Sequence, residues 1–185
     1  GAKLAGRLPR AQGDRLAVLL ADAHSPKNQF LVEGVQQVLG GSFPITGGSA
    51  NKNAGQTFVY FQGRAYSDSA VALMLSGDFR VALSGRKAMD NDQVIATARE
   101  GAAQALAASA GKPQGVLAFN CAGRRGKLKR PADELAAIQT ALGSELPLFG
   151  CYCAGEVGPV DASEKTPGVL SGGSGWHVMF TVIGR

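Results

Sequence analysis

The chain is poor in the residues that would commit it to a metal centre, a disulfide framework or a nucleic-acid groove. Of 185 residues, three are cysteine and two are histidine. Three cysteines cannot build a disulfide framework. Cys121, Cys151 and Cys153 with His24 and His177 are a thin supply for a four-ligand zinc site. Cys151 and Cys153 form Cys-x-Cys, closer than the pair spacing zinc prefers, and a strand continued through them is expected to send the two side chains to opposite faces. No metal and no cofactor is therefore expected, and the thiols are expected to stay reduced. Aromatic residues make up 6%, and none interleaves with the basic run RRGKLKR at 124–130, which argues against a single-strand stacking groove. No apolar run approaches the roughly 18 residues of a spanning helix. No basic start leads into an apolar signal core either. The expected location is cytoplasmic, with no membrane partner. Neither Gly-x-Gly-x-x-Gly nor the phosphate-loop Gly-x-x-x-x-Gly-Lys-Ser/Thr pattern occurs, so dinucleotide and triphosphate binding have little support.

What is present describes a globular α/β chain. Hydrophobic residues reach 45% and charged residues 18%. The net charge of +5 is concentrated near the start (Lys3, Arg7, Arg10, Arg15) and in 124–130. Such clusters serve as solvated loops, anion-facing loops or, less readily, nucleic-acid contacts. Residues 1–13 read as a flexible basic tail or an appended scar.

The most informative feature is an internal repeat. PITGGSA at 44–50 recurs as PLFGCYCAGE at 147–156, an offset of 103 (147 − 44), and each copy follows a helix ending in Leu-Gly. Gln36/Gln139, Leu39/Leu142, Gly40/Gly143 and Gly47/Gly150 share that offset. In the first unit, 14–85, a strand is expected at 15–21, a helix at 28–39 and a strand at 43–46. A glycine turn at 47–49, a polar loop at 51–55, paired strands at 57–62 and 69–75 around Gly63-Arg64, and a strand at 79–83 follow. An alanine-rich helix at 92–110 lies within the connection 86–113. The second unit, 114–185, repeats the order: strand 115–120, basic loop 122–130, a helix opened by Pro131, strand 146–149 into the cysteine turn, and a closing strand 176–183. Between these last two lies a glycine-rich connection with at most a short strand at 169–170. The expected fold class is mixed α/β: two related strand–helix–strand units with added antiparallel strands, the sheets flanked by helices, in one compact domain.

Loops beyond the carboxyl ends of such strands border ligand crevices. That rule collects the candidate site. Gly47, Gly48, Ser49 and Gly150 would let backbone approach a ligand, or would simply turn the chain. Arg124 would fork onto a carboxylate or pair with Glu156. Glu156, after Gly155, would accept from an ammonium group or brace the turn. Cys121, Cys151 and Cys153 would line the site as small hydrophobes or supply a nucleophile. Tyr152 would add a wall with a polar tip.

Cys121-Ala-Gly-Arg124 followed by a helix containing Glu134, then Gly150-Cys-Tyr-Cys-Ala-Gly-Glu156 and the closing strand, resembles the C-terminal part of FIST domains. Residues 15–75, with PITGGSA, look like the later half of their N-terminal part. The resemblance implies a sensory module of bacterial signalling proteins, found also in some eukaryotic F-box proteins, that binds small ligands. Amino acids are the usual proposal, and no catalytic activity belongs to the family picture. Nearly all of 15–185 finds a counterpart. Family members are usually about twice as long, however, and two of their stretches have no equivalent here: the first strand–helix–strand part, and one between Ser84 and Asp90. Cys151 and Cys153 stand where aromatic or hydroxyl residues are expected.

The expected function is thus a sensory domain for an amino acid or small carboxylate, partnered by a signalling protein. A thiol-dependent enzyme using Cys121 or Cys151 and a homodimeric interaction scaffold are the alternatives.

Overall fold

The structure, a computed structural model, describes residues 1–22, 28–51 and 55–185. His24 and most of the expected polar loop at 51–55 lie outside the described residues.

Two mixed sheets stack face to face, each with helices on its outer face. The first sheet has the order β10-β9-β2-β1-β5, built from β1 (Asp14–Ala21), β2 (Ile45–Ser49), β5 (Ala70–Ser76), β9 (Glu156–Gly158) and β10 (Gly172–Ser174). The second has the order β6-β11-β7-β8, from β6 (Arg80–Lys87), β7 (Pro113–Cys121), β8 (Leu148–Cys153) and β11 (His177–Gly184). A separate hairpin joins β3 (Val59–Phe61) to β4 (Arg64–Tyr66). Helices α1 (Ala2–Ala5) and α2 (Asn28–Leu39) cover the first sheet, and α3 (Asn91–Ala107) and α5 (Pro131–Leu142) the second. A single turn of helix, α4 (Ala122–Arg125), follows β7.

The repeat survives in three dimensions. α2 and α5 each have 12 residues and start 103 apart, as do β2 and β8. β1 pairs with β2 in parallel, and β7 with β8 in parallel, as each crossover requires. The copies do not share a sheet; each belongs to its own layer.

Each layer has its own core. Leu31, Val32 and Val35 on α2 close over Ala17, Leu19, Ala21 and Ile45. Ala98, Ala102 and Ala105 on α3, with Ile138 and Leu142 on α5, close over Val116, Val178, Phe180 and Val182. Burying each larger side chain is worth about 1.5–3 kcal/mol. The alanine face of α3 lets the helix approach closely: a Cβ on Gly101 would stand 3.1 Å from the Phe180 ring. Between the sheets, the Thr181 hydroxyl donates to that of Thr46 at 3.0 Å, tying β11 to β2.

Several expectations are corrected. Residues 2–5 of the expected tail are helical, and Ala5 is buried against the first core. Gln62 and Gly63 both take positive φ (49° and 75°), the geometry of a tight two-residue hairpin. Such a turn pairs the strands immediately beside it, so β3 meets β4, and β5 instead joins β1 antiparallel. Residues 169–170 are not a strand; β10 forms at 172–174 against β9. The presumed glycine turn at 47–49 and cysteine turn at 150–153 instead belong to strands, forming the carboxyl-terminal parts of β2 and β8.

Candidate functional site

The carboxyl ends of β1, β2 and β8 enclose a crevice of 330 Å³ between the sheets. Gly48, Ser49 and Ala50 form one wall and Cys151, Tyr152 and Cys153 the other, with Leu20, Phe58 and Val71 closing it. Five of the predicted site residues therefore meet here, contributed by both copies of the repeat. A second cavity of 370 Å³ lies on the outer face of β8 beneath α5, reached by Gly150, Cys151 and Tyr152. Another, of 460 Å³, sits between the amino-terminal segment, the β3–β4 hairpin and β5, and none of the predicted residues lines it.

The glycines act through packing. Gly47 and Gly48 are paired on both sides, to β1 and to β9, so β2 is a central strand and its glycines sit within the ladder. A Cβ on Gly47 (φ 146°) would stand 1.8 Å from the Leu19 carbonyl oxygen, and one on Gly48 would stand 2.4 Å from Cys153 Sγ. On Gly150 it would meet the Ala118 carbonyl oxygen at 2.2 Å. Gly155 is clasped to the end of β2: Ser49 N donates to its carbonyl at 3.0 Å, and Asn28 Nδ2 does so at 2.6 Å.

Arg124 is sealed, not presented to a ligand. Its side chain and that of Glu134 are 0% exposed, and NH2 meets Glu134 Oε1 at 3.1 Å. Nε donates to Asn120 Oδ1 at 3.1 Å, NH2 to the Val94 carbonyl at 2.7 Å, and NH1 and NH2 to Thr97 Oγ1 at 3.2 Å. The second oxygen of Glu134 accepts from the Tyr152 hydroxyl at 2.7 Å. That carboxylate and the burial of the ring push the Tyr152 phenol up, burial first. Burial also lowers Arg124, with Glu134 opposing. One network thus joins α3, α4, α5, β7 and β8. Sequence reasoning missed Thr97, Asn120 and the partnership with Glu134; the four-residue phase of Asn120 and Arg124 across a strand-to-helix junction was the available signal.

Glu156 is also buried, and its Oε2 accepts from His177 N at 3.1 Å. Its Oε1 has no partner in hydrogen-bond geometry, although the Cys121 thiol lies close enough to favour the carboxylate. Burial dominates and raises the carboxyl to about 7. His177 Nδ1 faces the Gly175 carbonyl at 2.8 Å and so carries the proton. Nε2 approaches Glu164 Oε2 at 3.4 Å without forming a hydrogen bond, and burial depresses the imidazole. None of Arg124's hydrogen bonds goes to Glu156, so the expected tie between them is absent among the described residues. Nor does either carry its charge into the crevice.

The cysteines divide sharply. Cys121 is buried, its sulfur accepting from Gly123 N at 3.3 Å, and burial with the nearby Glu156 raises its thiol. Cys151 and Cys153 lie on one face of β8, correcting the expectation of opposite faces: with a period of two, residues two apart face the same way. Their sulfurs are 3.6 Å apart, with Cys151 exposed and Cys153 buried. The hydrogen bond from Cys153 lowers Cys151 to about 7, while the same bond and burial raise Cys153. No histidine hydrogen-bonds a thiol among the described residues. Arg125, the exposed neighbour of Arg124, rests its guanidinium 5.9 Å from the Tyr152 ring centroid, and Lys127 lies 5.9 Å from that of Trp176. Two cations of the basic run are thus on aromatic faces.

These features define a duplicated, two-sheet sandwich with helices outside and an inter-sheet crevice built by both copies of the repeat. The chain belongs to the FIST family: the FIST N domain matches residues 1–111 and the FIST C domain residues 64–159. FIST domains are sensory domains of signalling proteins and bind small ligands. Among solved structures, a cyanuric acid hydrolase from A. caulinodans is similar over 93% of this chain, at 13% identity and a TM-score of 0.35. The chain spans 58% of that protein's length. No curated protein matches the chain. No helix among the described residues is long and apolar enough to cross a membrane.

Proposed function

We propose that this sensory domain reads a small carboxylate, such as an amino acid, held in the inter-sheet crevice. The observation that carries the reading is the crevice itself: a 330 Å³ space of mostly apolar lining, walled by β2 on one side and β8 on the other. A ligand there bridges the two layers, which is how binding would alter their relative packing. Its polar groups are met by Ser49 and Tyr60, polar residues of the lining. Arg124 and Glu156, buried and turned to internal partners, support the two walls from behind.

The test is a thermal-shift and calorimetric screen of the chain with amino acids and small carboxylates. A ligand at a hundred times its Kd stabilises by about 2.7 kcal/mol, or roughly 5–11 °C for a chain of this size. Ala50→Trp, which fills the crevice, abolishes the shift, and Ser49→Ala weakens it. Failure of every compound at millimolar concentration to move the melting temperature of folded protein would remove the reading.

A further inference from the structure

The Cys-x-Cys pair is unused by the proposed recognition of a carboxylate, and its geometry has a chemistry of its own. We propose that Cys151 and Cys153 are a two-thiol clamp for a soft, thiophilic centre that carries an organic substituent, of the kind a mono-organic trivalent arsenical presents.

Two sulfurs 3.6 Å apart already stand at chelating distance. If each binds one centre at about 2.3 Å, the usual metal–thiolate length, they subtend roughly 100° there. That is a pyramidal or tetrahedral angle. A linear two-coordinate ion would need the sulfurs about 4.6 Å apart at the same bond length.

The number of ligands narrows the class further. Among the described residues no group of three or more His, Cys, Asp or Glu side chains is placed to hold a metal ion. Cys121 sits opposite Cys153 in the β7–β8 register, yet its sulfur is engaged by Gly123 N. A zinc-type centre, which requires four ligands, is therefore poorly served. A trivalent centre with one organic group needs two thiolates and no more. The crevice supplies the remaining requirement, since Leu20, Phe58 and Val71 line the space beside the two sulfurs and would receive an apolar substituent.

Access and reactivity agree with this order of events. Cys151 is exposed, and the hydrogen bond from Cys153 favours its thiolate, so it attacks first. Cys153 then closes the chelate. With an arsine oxide the balance is two thiols plus R–As=O giving R–As(S-Cys)₂ and one water. Two As–S bonds form, the As=O bond is lost, and the two thiol protons leave with the oxygen. No electron is transferred.

The inference shares the crevice with the carboxylate reading but does not rest on it, because it is carried by the two sulfurs and read with a different probe. The test is titration of the phosphine-reduced chain with phenylarsine oxide, followed by iodoacetamide labelling and peptide mass spectrometry. One equivalent is expected to bind, protecting Cys151 and Cys153 and leaving the labelling of Cys121 unchanged. Cys151→Ser and Cys153→Ser each weaken binding by about 10²–10⁴-fold, the advantage of an intramolecular second bond; Cys121→Ser leaves it unaltered. Protection in the unsubstituted chain needs no variant to fold. Binding that survives either serine substitution at full strength, that requires Cys121, or that protects neither thiol would overturn the proposal.

Discussion

Removing the charge of Glu134 should be the most destructive conservative change in the second layer. Glu134→Gln keeps the shape of the side chain but leaves the Arg124 guanidinium buried without its counter-charge, both groups being 0% exposed. Breaking a buried ion pair from one side costs about 3–5 kcal/mol. The other carboxylate acting on Arg124, Glu156, is pushed toward its neutral form by burial, so little of that loss is recovered. The Tyr152 hydroxyl also exchanges a charged acceptor at 2.7 Å for a neutral one. For a chain of 185 residues the cost corresponds to a melting-temperature fall of roughly 6–20 °C. Urea unfolding at pH 7 measures it as a drop in midpoint at constant slope. The apolar replacement Arg124→Met/Glu134→Leu/Tyr152→Phe should recover at least half of the loss, since no unpaired charge remains. A single-variant cost below about 1 kcal/mol, the value of an exposed pair, would refute the claim that Arg124 is a sealed structural cation. Equal losses in the single and triple variants would refute the argument from uncompensated charge.

Further outcomes follow from other sites. Glu156 has its carboxyl raised from 4.5 to about 7 in the folded state. Between those values the folded chain holds the extra proton, so this group's contribution is full below pH 4.5 and is lost as pH rises to 7. The size is on the order of 3 kcal/mol. Glu156→Gln should therefore stabilise the protein at pH 8 relative to pH 4.5; a pH-independent difference between variant and parent in urea melts would contradict it. The comparison isolates Glu156 from His177, whose depressed pKa acts in the opposite direction. Gly48→Ala drives a Cβ to 2.4 Å from Cys153 Sγ and should cost about 1–3 kcal/mol. Part of that loss should return in Gly48→Ala/Cys153→Ala, and an unchanged midpoint in the single variant would show that the sheets are not in contact there.

The strand–helix–strand units were legible because apolar runs and helical spacing are local. β1, α2, α3, α5, β7 and β11 fall where the periodicity of the sequence puts them. The hairpin at Gly63 was legible too, but its pairing was not, because a turn names only its immediate neighbours. Of the candidate site, Gly48, Ser49, Cys151, Tyr152 and Cys153 converge on one crevice. Arg124 and Glu156 do not, because a charged side chain beside a loop reads as exposed until the helices that bury it are in place.

The sequence by itself determined that two similar units exist, offset by 103 residues, and that each must form a parallel crossover. Local patterning and chain chirality settle both. Only the tertiary structure decided that the units belong to separate, stacked sheets. That stacking makes Gly47 and Gly48 packing residues, gives Arg124 to Glu134, and sets two sulfurs 3.6 Å apart on one wall of the crevice. Those outcomes depend on contacts between residues far apart in the chain, which no local period encodes.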